Sequence, residues 1–370
     1  MKVLFVSEWY PHRYDAMMGL FVQKHAMAVV SQGVDVCVLY LHHDTHIRTR
    51  EITDQTTNGV REIIVYYPNR YSSALRAGWK YVRKNWGMPE VCQLNVITKN
   101  ALLPLWLKWC HHIPYVIVEH WTGYLTSTSA FQNSNLFHRL LSKLAARQAK
   151  AVLPVSTDLM RSMQQCGLKN NNWQVINNVV DDFFYNRPTI KRTNNIFNLL
   201  HISCFDEPHK NVCGLLRAVR QLANTRSDFV LTIVGTGLDY EQVRAYADTL
   251  KFPSNILRWT GELTPQQVAE QFDLADAFVL FSNYENAPVV ISESLATGTP
   301  IISSNVGGIA EMVPNECGSL IPAGDEEQLE RTINNMLDQH NMYNRNTIRL
   351  HGQQYSFESV GKRLVTIYKE

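Results

Sequence analysis

SNYENAPVVISESLATGTPIISSNVGGIAEMV, residues Ser282 to Val313, is the stretch from which the rest of this 370-residue chain can be read. The apolar run just before it, Phe278 to Phe281, has the length of a buried strand, and Ser282 to Asn286 is polar and turn-forming, so the chain leaves a sheet there. A helix then begins near Pro288. Proline suits the first helical position because it has no N–H to leave unpaired, and Val289, Ile291, Leu295 and Ala296 supply a face to pack. Gly298 ends that helix, and Thr299 to Ile302 opens the next strand.

Two carboxylates bracket the unit, Glu285 in the loop and Glu293 inside the helix. A helix start offers free N–H groups and a partial positive charge, which favour a phosphate; a carboxylate accepts hydrogen bonds, as from sugar hydroxyls. A pyrophosphate-linked sugar satisfies both. Two glutamates at this spacing, taken alone, read more readily as a helix-start acid and a solvated face. Their surroundings favour a site: Ala296-Thr297-Gly298 is small and close-packing, and a second turn, Asn305 to Gly308, with Glu311 after it, repeats the strand, glycine turn, helix design.

This block resembles the donor-binding region of the retaining glycosyltransferases of family 4 (glycosyl transferases group 1). There a Glu, seven residues, a second Glu, a small-residue turn, Pro, a strand and Gly-Gly-x-x-Glu follow in order. The resemblance implies an α/β chain of GT-B fold: two Rossmann-like β/α/β domains facing across a cleft, with a C-terminal helix crossing back to the first. It implies transfer of a sugar, with retained configuration, from a UDP- or GDP-linked donor to an acceptor hydroxyl. By it Asn286, Ala287, Pro288 and Val289 join Glu285 and Glu293 in donor binding, Glu285 at the transferred sugar and Glu293 at the ribose.

Length alone favours two domains. A composition of 45% hydrophobic and 18% charged residues is that of a globular protein, and no stretch approaches a membrane span, so a cytoplasmic protein is expected. Seven cysteines, odd in number, scattered and without a Cys-x-x-Cys pair, read as buried thiols and not as disulfides or a metal cage. The net charge of +2 hides an asymmetry. Residues 1–178 hold 19 Lys+Arg against 10 Asp+Glu, and residues 179–370 hold 16 against 23, so the first part is expected to meet an anionic surface or substrate.

Val3 to Val6 is a first strand, Gly19 to Val30 a helix closed by Gly33, and Val34 to Leu41 a second strand, hence a β-α-β unit with parallel strands. Gly19 fits a simple turn or a backbone approaching an anion; the resemblance favours the donor phosphate. His42 to Glu62 is polar and reads as a surface excursion over the cleft. Tyr71 to Trp86 is a basic helix with Leu75, Trp79, Val82 and Trp86 on one face and Arg76, Lys80, Arg83 and Lys84 beside it. Such a stripe fits core packing or a bilayer interface, and the expectation drawn from it is peripheral association with the cytoplasmic face of a membrane. A strand from Pro114 ends in Glu119-His120, where ligands of open α/β sheets sit. The resemblance gives His120 a role facing the donor sugar.

Val175 to Asp181 resembles the family's domain exit. The expected domains are 1–180 for the acceptor, completed by 354–370; a linker over 181–195; and 196–353 for the donor. Before the first helix of the donor domain the family places an Arg and then a Lys on the diphosphate. Lys210 is present, while Cys204 stands at the arginine's position, leaving His209 and helix N-termini to compensate. Lys210, His120 and Glu285 are thus the candidate catalytic residues. No Asp-x-Asp occurs, so neither a metal nor a cofactor is expected beside the donor substrate. The expected partners are a nucleotide sugar, a glycan or lipid-linked acceptor as in surface-polysaccharide assembly, and an anionic membrane; no nucleic acid is expected. A nucleotide-sugar 2-epimerase and a silent sugar-nucleotide binder are the alternatives.

Overall fold

A computed structural model describes all residues except 126–127, 186, 188–195 and 340–341. The described chain divides into two units, Met1–Val179 with Phe357–Glu370, and Val180–Ser356.

In the first unit β1 (Lys2–Ser7), β2 (Asp35–His43), β3 (Glu51–Thr57), β4 (Val60–Tyr67), β5 (Val91–Asn95), β6 (Tyr115–Glu119) and β7 (Ala151–Pro154) form a sheet in the order β3-β4-β2-β1-β5-β6-β7. The helices are α1 (Leu20–Val30), α2 (Tyr71–Asn85), α3 (Leu102–His111), α4 (Ala130–Asn133), α5 (Leu136–Gln148) and α6 (Thr157–Gln165). β1, β5 and β6 are buried almost throughout, because a parallel strand covered by helices meets no water on either side. The excursion expected at 42–62 is mostly a hairpin: β3 pairs antiparallel with β4 around Asn58 and Gly59, both at positive φ. An Asn-Gly pair is the ordinary signal for such a turn. The strand escaped notice because β3 lies at the sheet edge with polar, exposed side chains.

The stripe on α2 is core packing, which corrects the membrane reading of this helix. Trp79 and Trp86 are each 8% exposed, and Trp86 Nε1 donates to Asp35 Oδ1 at 2.8 Å. Arg76, Lys80, Arg83 and Lys84 are exposed.

The second unit holds β8 (Phe197–Ile202), β9 (Phe229–Val234), β10 (Leu257–Gly261), β11 (Ala277–Leu280), β12 (Ile301–Ser304) and β13 (Gly318–Ile321), with every pairing parallel, in the order β10-β9-β8-β11-β12-β13. Its helices are α7 (Glu207–Lys210), α8 (Val212–Leu222), α9 (Tyr240–Thr249), α10 (Pro265–Leu274), α11 (Val289–Thr297), α12 (Ile309–Met312), α13 (Glu326–Asp338) and α14 (Arg345–Gly352). The linker expected at 181–195 starts later than that: Phe184 is fully buried in this unit, and Val180 donates to the Tyr355 carbonyl at 2.9 Å. Most of the remainder lies outside the described residues.

The last helix, α15 (Phe357–Lys369), belongs to the first unit. Val360, Leu364, Ile367 and Tyr368 enter the core formed by α1 and the sheet, and Tyr368 OH donates to the buried Gln93 Oε1. A side chain at Gly361 would put its Cβ 2.2 Å from the Ala28 carbonyl oxygen, so glycine sets how closely α15 lies on α1. The cysteines are all free, but only Cys37, Cys92 and Cys317 are buried; Cys110 and Cys204 are exposed, against the expectation of uniformly buried thiols.

Candidate active site

From β8 the chain of the second unit winds outward through β9 and β10, and from β11 it winds the other way through β12 and β13. At such a reversal the loops leaving two neighbouring strands diverge at their carboxyl ends and leave room for a ligand. The loop after β8 carries Lys210, and the loop after β11 carries Glu285.

These two residues meet. Lys210 Nζ lies 2.6 Å from Glu285 Oε1, and the same oxygen accepts the Ser282 hydroxyl at 2.8 Å. His209 Nε2 stands 3.5 Å from the other oxygen, its ring stacked flat on Tyr284 with centroids 4.1 Å apart. Burial alone would raise the Glu285 carboxyl, but His209 and Lys210 outweigh it and hold it below its ordinary value. The backbone fixes the approach: Asn283 N donates to the His209 carbonyl at 2.8 Å, and its side-chain amide to the Pro208 carbonyl at 3.0 Å.

A third loop, after β12, closes on the second. Gly307 has φ +52°, and a Cβ there would fall 1.8 Å from the Glu285 carbonyl oxygen, so this position admits only glycine. Gly308 N donates to the Asn286 carbonyl at 3.0 Å. Beneath the loops, buried His201 joins β8 to β11 through Nδ1, 2.9 Å from the Val279 carbonyl, and reaches Ser203 Oγ with Nε2 at 2.8 Å. Burial pushes its pKa down to about 4, so it stays neutral and serves as a hydrogen-bonding strut.

Two helices start near the pair. α11 begins after Pro288, which is its cap residue and not its first helical residue, and no side chain caps it. At α8 the Glu207 carboxylate already accepts the N–H groups of Val212 and Cys213, at 2.8 and 2.9 Å. An anion is therefore offered the start of α11 but not that of α8, which corrects the idea that helix ends in general replace the missing guanidinium. Glu293 is half-buried on α11, and Val289 opens that helix beside buried Asn286.

Gly19 and His120 lie in the first unit, on one cluster. Gly19 caps α1 at φ +63°, and a Cβ there would come within 2.4 Å of the Trp9 carbonyl carbon. The requirement for glycine thus comes from the chain's own backbone. Phe21, two residues on, packs against the His120 ring at 4.1 Å, with the His25 ring 5.6 Å away. Burial first, and then His25, keep His120 well below its ordinary pKa, so it acts as neutral imidazole. Glu119, fully buried, accepts the backbone N–H groups of Ile97, His120 and Trp121 at 3.0, 3.0 and 2.9 Å. It positions the His120 loop. At the strand-order reversal of this unit, between β1 and β5, Glu8 accepts the Thr98 hydroxyl at 2.5 Å. Sequence reasoning placed Glu119 beside His120 at the end of its strand but passed over Glu8, although it follows the apolar run Val3 to Val6 by two residues. Ser282, His201 and Tyr284 gave no signal of their own.

Two family profiles match the chain: "Glycosyltransferase Family 4" over residues 18–182 and "Glycosyl transferases group 1" over residues 199–349. A glycogen synthase of Mycobacterium tuberculosis is 25% identical over 364 residues, covering 91% of this chain and 86% of that protein. A phosphatidyl-myo-inositol mannosyltransferase of Mycobacterium leprae is 28% identical over 176 residues, 47% of this chain and 46% of that one. Among solved structures, Anabaena HepE in complex with UDP superposes with a TM-score of 0.74 at 16% identity, covering 100% of both chains.

Proposed function

The chain belongs to the family 4-like glycosyltransferases of GT-B fold, and from that premise we propose how its own residues handle a nucleotide sugar. The buried Lys210–Glu285 pair at the reversal between β8 and β11 carries the reading. A lysine and a carboxylate side by side can divide a diphosphate sugar between them, the ammonium taking phosphate oxygen and the carboxylate accepting sugar hydroxyls. The start of α11, which no side chain caps, supplies the backbone N–H groups of Val289 and Val290 to the same phosphates, and Asn286, Ala287 and Pro288 form the loop that leads the donor to them. Glu293 accepts the ribose hydroxyls. As the glycosyl bond breaks, charge gathers on the leaving diphosphate, and Lys210 with the helix start stabilises it without a metal. Losing one preorganised donor of this kind typically costs about 2.7–4 kcal/mol of barrier.

His120, neutral in its pocket, acts at the transferring sugar, and transfer retains configuration; the likeness to family 4 supports both. The acceptor is a lipid-linked glycan in the making of a surface polysaccharide, worked on at the cytoplasmic face of a membrane. In support, one similar protein is by name a mannosyltransferase of phosphatidyl-myo-inositol, and residues 1–178 carry a surplus of basic groups. Incubation with a panel of UDP- and GDP-sugars and lipid-linked acceptors, in chelator, tests the proposal. Nucleoside diphosphate release and an α-linked product from an α-linked donor are expected. Donor binding without turnover on any acceptor would favour a silent binder, for which the exposed Cys204 at the arginine's position speaks.

A further inference from the structure

On α5 the helical period sets Leu136, Phe137, Leu140 and Leu144 within an arc of about 100°. They are 62, 60, 58 and 39% exposed. The opposite side, Leu141, Ser142, Ala145 and Ala146, is buried. This helix therefore has two apolar faces, of which the fold uses one. α3 repeats the pattern, burying Leu103, Leu105 and Leu107 while Leu102, Trp106 and Trp109 stand 42, 39 and 54% exposed. The two helices follow the adjacent strands β5 and β6 and lie together: Lys108 Nζ bonds the Gln148 carbonyl, and His138 Nε2 lies 3.1 Å from the Ile97 carbonyl. Exposed apolar residues gathered on two neighbouring helices mark an interaction face.

Its charge indicates what covers it. Between residues 97 and 150 the single acidic residue is Glu119, which is fully buried, while Lys99, Lys108, Arg139, Lys143, Arg147 and Lys150 are basic. Lys143 and Arg147 flank the exposed leucines. At the end of α5 a cavity of 650 Å³ is lined by Arg147, Lys150, Lys169 and Asn170 to Asn172. A second copy docked face to face would set basic residue on basic residue. Tryptophan and leucine within a rim of lysine and arginine suit an anionic bilayer, the rings entering the interface and the cations meeting headgroup phosphate.

We propose that the outward faces of α3 and α5, with the basic cavity at the end of α5, seat the first unit on an anionic lipid bilayer. This deepens the lipid-linked-acceptor reading and rests on it for its purpose, but it is tested without turnover. The full chain is sedimented with vesicles of phosphatidylcholine alone and with about 30% phosphatidylglycerol, at low and high salt, since salt screens the attraction. Wild type should bind the anionic vesicles at least tenfold more strongly, losing most of that at high salt. The triple variant Leu136→Ser/Phe137→Ser/Leu140→Ser should lose at least tenfold, whereas Leu350→Ser, an exposed leucine of the second unit, should bind as wild type. Brominated lipid should quench wild-type tryptophan fluorescence more than that of Trp106→Phe/Trp109→Phe. No preference for anionic vesicles, undiminished binding of the triple variant, or a wild-type dimer that the triple variant makes monomeric would overturn the proposal. Transfer to a water-soluble acceptor by the triple variant at the wild-type rate would separate its fate from that of the transferase reading.

Discussion

Lys210 Nζ and Glu285 Oε1 stand 2.6 Å apart in a pair 8 and 5% exposed, though 75 residues separate them in sequence. Removing one partner of a buried pair strands the other, at a typical cost of about 3–5 kcal/mol. Lys210→Ala should therefore lower both turnover, by orders of magnitude, and the denaturation midpoint. Lys210→Met/Glu285→Gln should recover most of the stability and none of the activity. A stable, inactive double variant separates the site's chemistry from its packing; recovered turnover would remove Lys210 from the phosphates.

The pH dependence of stability has two opposing limbs. Glu285 is held below the ordinary carboxyl value of 4.5, so the stability it contributes is present above that pH and is lost as pH falls towards its folded value. Glu119 is pushed up to about 7, chiefly by burial, so its contribution is complete below 4.5 and is lost as pH rises through 7. Denaturant midpoints measured across pH should show Glu285→Gln flattening the acid limb and Glu119→Gln the limb between 4.5 and 7. Unchanged limbs in both variants would show that neither carboxylate sets the profile.

Gly307→Ala should break the donor loops from outside the contact residues. Its positive φ and the approach of 1.8 Å to the Glu285 carbonyl leave no room for a methyl group, and strain of this kind costs more than about 1 kcal/mol. Weaker donor binding and a lower unfolding midpoint are both expected, read by calorimetry and by denaturant titration. Wild-type donor affinity would mean that the third loop moves independently of Glu285.

Glu293→Ala should chiefly weaken binding of free nucleoside diphosphate, whereas Glu285→Ala should mainly affect the intact donor sugar. Titration of UDP or GDP against each variant decides it, and a wild-type dissociation constant for Glu293→Ala would refute the ribose assignment.

His120→Ala should slow transfer and leave affinity for free nucleoside diphosphate unchanged, because Lys210, Glu293 and the start of α11 belong to the second unit and His120 to the first. Equal loss of both would give the imidazole another role. Its packing on Phe21 and its low pKa predict a rate that does not follow imidazole titration near neutral pH.

Local chemistry settled a large part of this protein in advance. Apolar runs of strand length and glycine and proline at the helix ends lie within short stretches of chain, where backbone preferences and periodicity act directly, so the alternation of strand and helix could be read there, whereas the donor role of Glu285 and Glu293 came from the resemblance of the whole block to family 4. Periodicity also identified the stripe of α2, but it cannot say which neighbour covers a stripe. Trp79 and Trp86 are packed inside while the exposed apolar face belongs to α3 and α5, because burial is decided by which helices the sheet order places side by side. The same holds at the site. That Lys210 meets Glu285 and that Gly307 must lack a side chain to lie on Glu285 follow from strand order bringing β8, β11 and β12 together. Contacts between residues so far apart in sequence exist only once the sheet has formed.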